Sequence, residues 1–331
     1  MINMVRIKFS IIIPVKEIND YIKESIPKIL QINYKNYEII ILPNEKPGNI
    51  PNFLNNKKIK IIPTGKVSPA IKRDLGAKNA GGEYLAFIDD DAYPKNDWLS
   101  IAERTLSNKK VAVVCGPAIT PKEDSISQRA SGLFFETFFG GGGLSYRYKP
   151  AKNSFYVDDF PSVNFIISKR VFLDIGGFDN EFWPGEDTKL CRDLIKNGYK
   201  IWYEKNLIVY HHRRKLMIPH LKQIGNYGKH RGYFARKFPE NSRKPIYFFP
   251  SLFLLGNLLL FVLSFVNGFF FLLWVGLFLI YLLIIAIDVV FRTNSLIIWI
   301  LTVITIFLSH LTYGFKFIIG LLSKKFRSEL R

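Results

Sequence analysis

Cysteine is nearly absent from this chain: Cys115 and Cys191 are its only two in 331 residues. A disulfide-stapled scaffold is excluded, and two isolated thiols offer no thiolate metal site, so both read as small apolar fillers. Acidic residues are also scarce, 27 Asp and Glu against 46 Lys and Arg, which leaves a formal net charge of +19. Long polar low-complexity tracts are missing, and an aromatic content of 15% excludes a disordered chain. A secretory leader is not expected either. Residues 1–8 are short and mixed, and the run 9–15 is too brief and too β-branched to precede a cleavage site. The expectation is therefore a soluble part facing the cytoplasm. At roughly 100–200 residues per domain, the length accommodates one large globular domain and something more.

That additional part shows itself by a lack of charge. Between Phe248 and Leu322 the only ionisable groups besides Tyr hydroxyls are Asp288, Arg292, His310 and Lys316. A bilayer core takes about 20 apolar residues per helix, so the stretch holds hydrophobic segments at 248–266, 269–290 and 296–322. Three full crossings would leave Lys324, Lys325, Arg327 and Arg331 on the far side, against the positive-inside tendency. Two or three passes are thus expected, one of them possibly re-entrant, the third with His310 and Gly314 being the candidate. Directly before the first segment, residues 213–244 hold ten basic residues against the single acid Glu240. A basic stretch in that place suits anionic headgroups at the cytoplasmic face. Nucleic acid is not an expected partner, since no nucleic-acid motif accompanies the charge. The expected organisation is a soluble domain at 1–212, a basic, helical membrane-interface segment at 213–247, a membrane domain at 248–322 and a basic tail at 323–331.

Within the soluble part, apolar runs at 9–15, 37–42, 58–62, 83–88 and 111–115 read as strands. Helical segments follow Asn19, begin at Pro69 and span 97–106. This alternation predicts an α/β domain with a mostly parallel sheet, whose ligands sit at the carboxyl ends of its strands. Asp89, Asp90 and Asp91 stand at such an end. In an extended segment Asp89 and Asp91 point the same way and Asp90 the other, and hard oxygen ligands suit Mg²⁺ or Mn²⁺ on a diphosphate. A second acidic pair, Glu186 and Asp187, follows a Gly-rich aromatic approach and opens an amphipathic helix. Helix capping accounts for one acid; a carboxylate against an apolar wall gains the raised pKa of a general base.

Together these pieces resemble the family 2 glycosyltransferases, inverting nucleotide-sugar enzymes of the GT-A (Rossmann-like) fold, and among them the membrane-anchored succinoglycan-type glucosyltransferases. The resemblance is carried, in order, by residues 11–15, 72–77, 82–91, 94–99, Asn164, 175–179, 185–187 and 209–211. It implies that Asp89 and Asp91, with His211, hold a divalent cation, Mg²⁺ or Mn²⁺, and that Asp187 is the base on the acceptor hydroxyl with Glu186 beside it. It further implies nucleotide-sugar binding at Pro14, Val15, Glu17, Asn44, Arg73 and Asp90, and an acceptor side at Asn164, Trp183 and Gly185. His212 is the understudy to His211. One departure is Leu42-Pro43-Asn44-Glu45, where the family often carries an acid against the nucleotide, so a uridine donor is not implied.

The anchor points to a lipid-borne acceptor, a polyprenyl-linked sugar or a glycolipid, and to a multi-pass membrane protein in glycan biosynthesis. Phe134, Phe135, Phe138 and Phe139 before Gly140–Gly143 form either a mobile apolar lip for such a lipid or a loop beside an aromatic core helix. Two rival readings stand beside the main one: a polyprenyl-phosphate monoglycosyl transferase, whose phosphate acceptor needs no base, and a non-catalytic scaffold of the same fold.

Overall fold

A computed structural model describes residues 8–109, 111–178, 180–182 and 185–325. The chain divides into two compact units. Among the described residues, one comprises those from Lys8 to Ile119 together with Lys149–His211; the other comprises Thr120–Tyr148 and His212 to Lys325. The segment 120–148 therefore groups with the C-terminal part of the chain, inside the span that the sequence suggested as one continuous domain at 1–212.

All described strands lie in the first unit: β1 (Phe9–Pro14), β2 (Tyr37–Leu42), β3 (Ile59–Ile61), β4 (Tyr84–Phe87), β5 (Ala92–Pro94), β6 (Val113–Cys115), β7 (Ala118–Ile119), β8 (Phe155–Val157), β9 (Phe165–Ser168), β10 (Ile201–Tyr203) and β11 (Val209–His211). Eight form one sheet in the order β3-β2-β1-β4-β9-β6-β10-β8. β1 pairs in parallel with both β2 and β4, and β2 does so with β3. Both β1 and β2 are buried along their whole length, which is why each is an unbroken apolar run rather than an alternating one. β9 enters antiparallel between β4 and β6, so β6 and β10 again run in the direction of β4. The sheet is thus mostly parallel, as the alternation predicted. A second, three-stranded sheet has the order β5-β11-β7.

Helix Pro69–Asn79 covers the ends of β1 and β2. Its start is fixed by Ser68, whose hydroxyl accepts from the Ile71 amide, and by proline at the opening turn. Gly76 allows the helix to lie close to the sheet: a Cβ there would stand 2.7 Å from the Ile12 side chain.

In the second unit the apolar helices are Phe249–Leu263, Gly268–Val290 and Leu296–Leu322, close to the expected segments. The two longer ones are long and apolar enough to cross a membrane by length and composition. Helix Ile218–Lys237 packs along Leu296–Leu322 through Gly225, Gly228 and Gly232; a Cβ on Gly228 would lie 2.6 Å from the Tyr313 carbonyl oxygen. The aromatic segment divides: its first half belongs to a core helix, whereas Phe138 beyond it is exposed. Phe134 and Phe135 are buried on helix Ile126–Glu136. The following turn, Phe138–Gly141, is held by Asp288, which accepts from the Phe138 and Phe139 amides at 2.7 and 3.2 Å. His310 Nε2 meets the Phe139 carbonyl oxygen at 2.9 Å.

Candidate active site

The site is assembled at the carboxyl ends of β1, β2 and β4 by three consecutive residues of helix Pro69–Asn79. Lys72 is buried, and its ammonium donates to the carbonyls of Val15 (2.6 Å) and Leu42 (3.0 Å) and to Asn44 Oδ1 (2.7 Å). It thereby joins the ends of β1 and β2. Burial pushes its pKa down to about 8, against the opposing pull of Asp90. Arg73 donates to Asp89 Oδ1 at 2.6 Å and to Glu186 Oε1 at 3.0 Å, so one guanidinium joins the two acidic motifs. Asp74 Oδ1 accepts from the Phe178 amide at 2.9 Å and fixes the turn of Gly176 and Gly177, both in left-handed backbone with φ of 88° and 74°. Burial raises the Asp74 pKa to about 6. The planar fork of Arg73 is needed for two partners at once, which an ammonium at the same place cannot bond with equal geometry. Arg73→Lys is expected to cost about 1–3 kcal/mol, read as a lowered melting temperature; an unchanged value would show that the bridge contributes nothing.

The three aspartates lie in a turn closed by the Ala92 amide on the Asp89 carbonyl, not in the extended segment that the spacing argument assumed. Asp90 turns away and accepts from Asn19 Nδ2 at 2.6 Å, at the start of helix Asp20–Leu30. Asp89, Asp91 and His211 converge, with one ligand atom from each within 4.8 Å of the others. His211 arrives there by strand pairing: β11 runs antiparallel to β5 with His211 opposite Ala92, the neighbour of Asp91. Its Nε2 lies 3.1 Å from Asp91 Oδ1. Two carboxylates and an imidazole, one carboxylate being buried, form a donor set that fits Mg²⁺ or Mn²⁺. Arg73 engages one oxygen of Asp89, which leaves the other for a cation. His212 belongs to the second unit and pairs with Asp124 at 2.5 Å.

The second acidic motif opens helix Glu186–Lys196. Gly185 precedes it with φ 144°, a backbone that favours glycine. Glu186 is buried between Arg73 and the Gly185 amide, which donates to its Oε2 at 2.8 Å. Its position holds the helix start against Arg73. Asp187 Oδ1 accepts from the Thr188 amide at 2.7 Å. Burial, then the nearby Glu186 and Asp159 carboxylates, push the Asp187 pKa up to about 7, so that it exchanges a proton near neutrality.

The remaining sequence candidates fall into two groups. Pro14 and Val15 are buried at the end of β1, with Glu17 exposed just beyond; Asn44 is partly exposed beside Lys72. Asn164 requires a correction. It is fully buried, its Nδ2 donates to the carbonyls of Pro117 and Leu207 at 3.2 and 2.6 Å, and its Oδ1 accepts from Trp98 Nε1 at 2.9 Å. With donors and acceptor all engaged, it braces the core and presents nothing to an acceptor. Trp183 lies outside the described residues. Sequence reasoning missed Lys72 and Asp74. The signal was the charged run 72–74 in the first turns of a helix whose other positions pack on a buried sheet.

A mostly parallel sheet with one acidic motif at a strand end, joined by a late histidine, and a second at a helix start is the arrangement of a sugar-transferring enzyme of the GT-A type. Residues 10–172 match the family described as Glycosyl transferase family 2, and the chain carries a glycosyltransferase domain of that family. The dolichyl N-acetyl-alpha-D-glucosaminyl phosphate 3-beta-D-2,3-diacetamido-2,3-dideoxy-beta-D-glucuronosyltransferase of Methanococcus voltae is 25% identical over 244 residues, 69% of this chain and 74% of that protein. Succinoglycan biosynthesis protein ExoA of Rhizobium meliloti is 28% identical over 184 residues, 54% of this chain and 52% of its own length. This chain thus spans about half of the latter relative. Among solved structures, the mannosyltransferase PcManGT from Pyrobaculum calidifontis, in complex with GDP-Man and Mn²⁺, aligns over 97% of this chain and 89% of its own with a TM-score of 0.63 at 15% identity. That likeness establishes the fold.

Proposed function

We propose that the protein transfers a sugar from a nucleotide-diphosphate sugar to a hydroxyl of a membrane-associated acceptor, a polyprenyl-linked sugar or a glycolipid, with inversion at the anomeric carbon. The observation that carries this reading is the Arg73 bridge, which ties the Asp89–Asp91–His211 cluster to the Glu186–Asp187 motif within one unit. Donor activation and acceptor deprotonation require two such groups side by side. Asp89, Asp91 and His211 would hold the divalent cation, which when bound neutralises charge on the leaving diphosphate. Lys72 and Asn44 line the nucleotide side at the ends of β1 and β2. Asp187 takes the proton of the acceptor hydroxyl as the oxygen bonds to the anomeric carbon and the bond to the diphosphate breaks. Glu186 and Arg73 hold the start of the helix that carries Asp187 and take no part in proton transfer. The apolar C-terminal helices, together with a relative that by its name acts on a dolichyl-phosphate-linked sugar, support the lipid-borne acceptor.

The test is a screen of uridine, guanosine and other nucleotide sugars with the purified full-length protein, with and without Mn²⁺. One nucleotide class at about one hundred times its Kd should stabilise the fold by about 2.7 kcal/mol, seen as a raised melting temperature only when Mn²⁺ is present. Transfer of label from that donor into a lipid extract then identifies the acceptor class. If no nucleotide sugar binds under either condition, the reading fails in favour of a scaffold that has kept the fold without the chemistry.

A further inference from the structure

The Arg73 guanidinium is held by hydrogen bonds at two of its three nitrogens. Its amino groups donate to Glu186 and Asp89, while Nε, equally buried, meets no hydrogen-bond partner among the described residues. Two bonds leave the planar group able to tilt about the line that joins them, so its pose depends on what lies against its face. That support is the Phe178 ring, whose centre is 5.5 Å from the guanidinium carbon. Phe178 is buried and packs edge-on against Phe87 and Phe172, with ring centres 5.2 and 5.4 Å away. Phe87 is the last residue of β4, two positions before Asp89. The strand that leads to one partner of Arg73 therefore also supports the ring beneath it.

Phe178 is in turn placed through its backbone. Gly176 and Gly177 precede it in left-handed conformations, and the Gly177 amide donates to the Phe172 carbonyl at 2.9 Å. The Phe178 amide itself is held by Asp74 Oδ1 at 2.9 Å. This fit is tight: a Cβ on Gly177 would stand 2.7 Å from the same oxygen. Asp74 directly follows Arg73 on helix Pro69–Asn79. One helix turn thus supplies both the cation and the group that fixes the surface on which the cation rests.

We propose that Asp74 is a positioning residue for sugar transfer, holding Phe178 by its amide so that the ring keeps Arg73 in the pose that orients Asp89 and Glu186. The consequence for transfer rests on the activity proposed above; the positioning itself does not. When the Asp74 bond is lost, Phe178 shifts, Arg73 follows, and Asp89 no longer presents its second oxygen together with Asp91 and His211. A misplacement of about 1 Å costs on the order of 10²-fold in rate even when its origin is remote from the chemistry.

Purified full-length protein with Asp74→Ala, Asp74→Asn or Phe178→Leu, compared with the parent, tests this. Alanine removes the acceptor for the Phe178 amide, asparagine keeps one, and leucine at 178 keeps the amide but removes the ring. Mn²⁺ alone, titrated through the spin-resonance signal of the free ion, should bind about tenfold more weakly to Asp74→Ala and Phe178→Leu, the scale of a lost support behind a metal ligand. Asp74→Asn should recover most of that loss. Sugar transfer should fall in the same order, in kcat and not in KM for the acceptor. Parental Mn²⁺ affinity in Asp74→Ala overturns the proposal. An Asn variant as weak as the Ala variant also overturns it, because the effect then belongs to the charge and not to the bond with Phe178.

A second measurement needs neither cation nor donor. Melting temperatures are compared for Asp74→Ala, Arg73→Lys and the double variant. If Asp74 acts through Arg73, the loss caused by Asp74→Ala shrinks when residue 73 is already lysine; equal losses in both backgrounds overturn the proposal. Should the parent bind no nucleotide sugar, the proposed activity fails while this comparison still decides the role of Asp74.

Discussion

Asp187→Asn is expected to lower kcat/KM for sugar transfer by about 10³-fold, within the range contributed by a general base, while leaving donor binding intact. The amide keeps the shape of the carboxylate and loses its capacity to accept a proton from the acceptor. Because burial and neighbouring carboxylates raise the Asp187 pKa to about 7, the unsubstituted enzyme should lose activity as pH falls through neutrality, and the residual activity of the variant should lack that limb. Stability supplies an independent check. A carboxyl whose folded pKa lies above the unfolded 3.8 contributes stability that is present below that value and lost as pH rises through about 7. The Asn variant has no such loss, so its melting temperature should exceed that of the parent at pH 8 and approach it at pH 5. Near-normal turnover in the variant would refute the role of Asp187 as base.

The second large effect is expected from Asp91→Asn. Asp91 is the buried carboxylate of the trio and sits 3.1 Å from His211, so its loss removes both a charged oxygen donor of the proposed cation site and the partner beside the imidazole. Transfer should fall by at least about 10²-fold, the scale of a lost electrostatic stabiliser. The Mn²⁺ concentration needed for donor-induced stabilisation should rise in parallel. A variant with the parental Mn²⁺ midpoint would show that the cation is held elsewhere.

Those two residues were visible in the sequence because their signals are local. An unbroken apolar run ending on carboxylates marks a buried strand and its exit, and Gly185 before two acids marks a helix start. Five of the six strands up to Cys115 and the apolar helices were legible for the same reason, as period and length survive without tertiary context; the short β5 (Ala92–Pro94) was not. What escaped depended on partners far along the chain. β9 is a four-residue apolar stretch, and nothing in it announces an antiparallel insertion between β4 and β6. Asn164 looked like a functional polar residue, and only the Trp98 indole and two carbonyls around it reveal a brace. Arg73 was singled out as a cation, but its bond to Glu186, 113 residues away, was not legible. The aromatic run at 134–139 carried no sign that Asp288 and His310 would hold it.

The excursion of residues 120–148 has a practical consequence. The chain enters the second unit twice, first between β7 and β8 and again after His211. Severing it once near residue 212 would strip the cover from Leu133, Phe134 and Phe135, leaving an adhesive surface on the liberated fragment. Removing the second unit therefore takes two edits: termination just beyond His211, which preserves the last strand of the small sheet, and replacement of 120–148 by a polar connection. Modularity in this enzyme is thus a matter of excision and not of truncation.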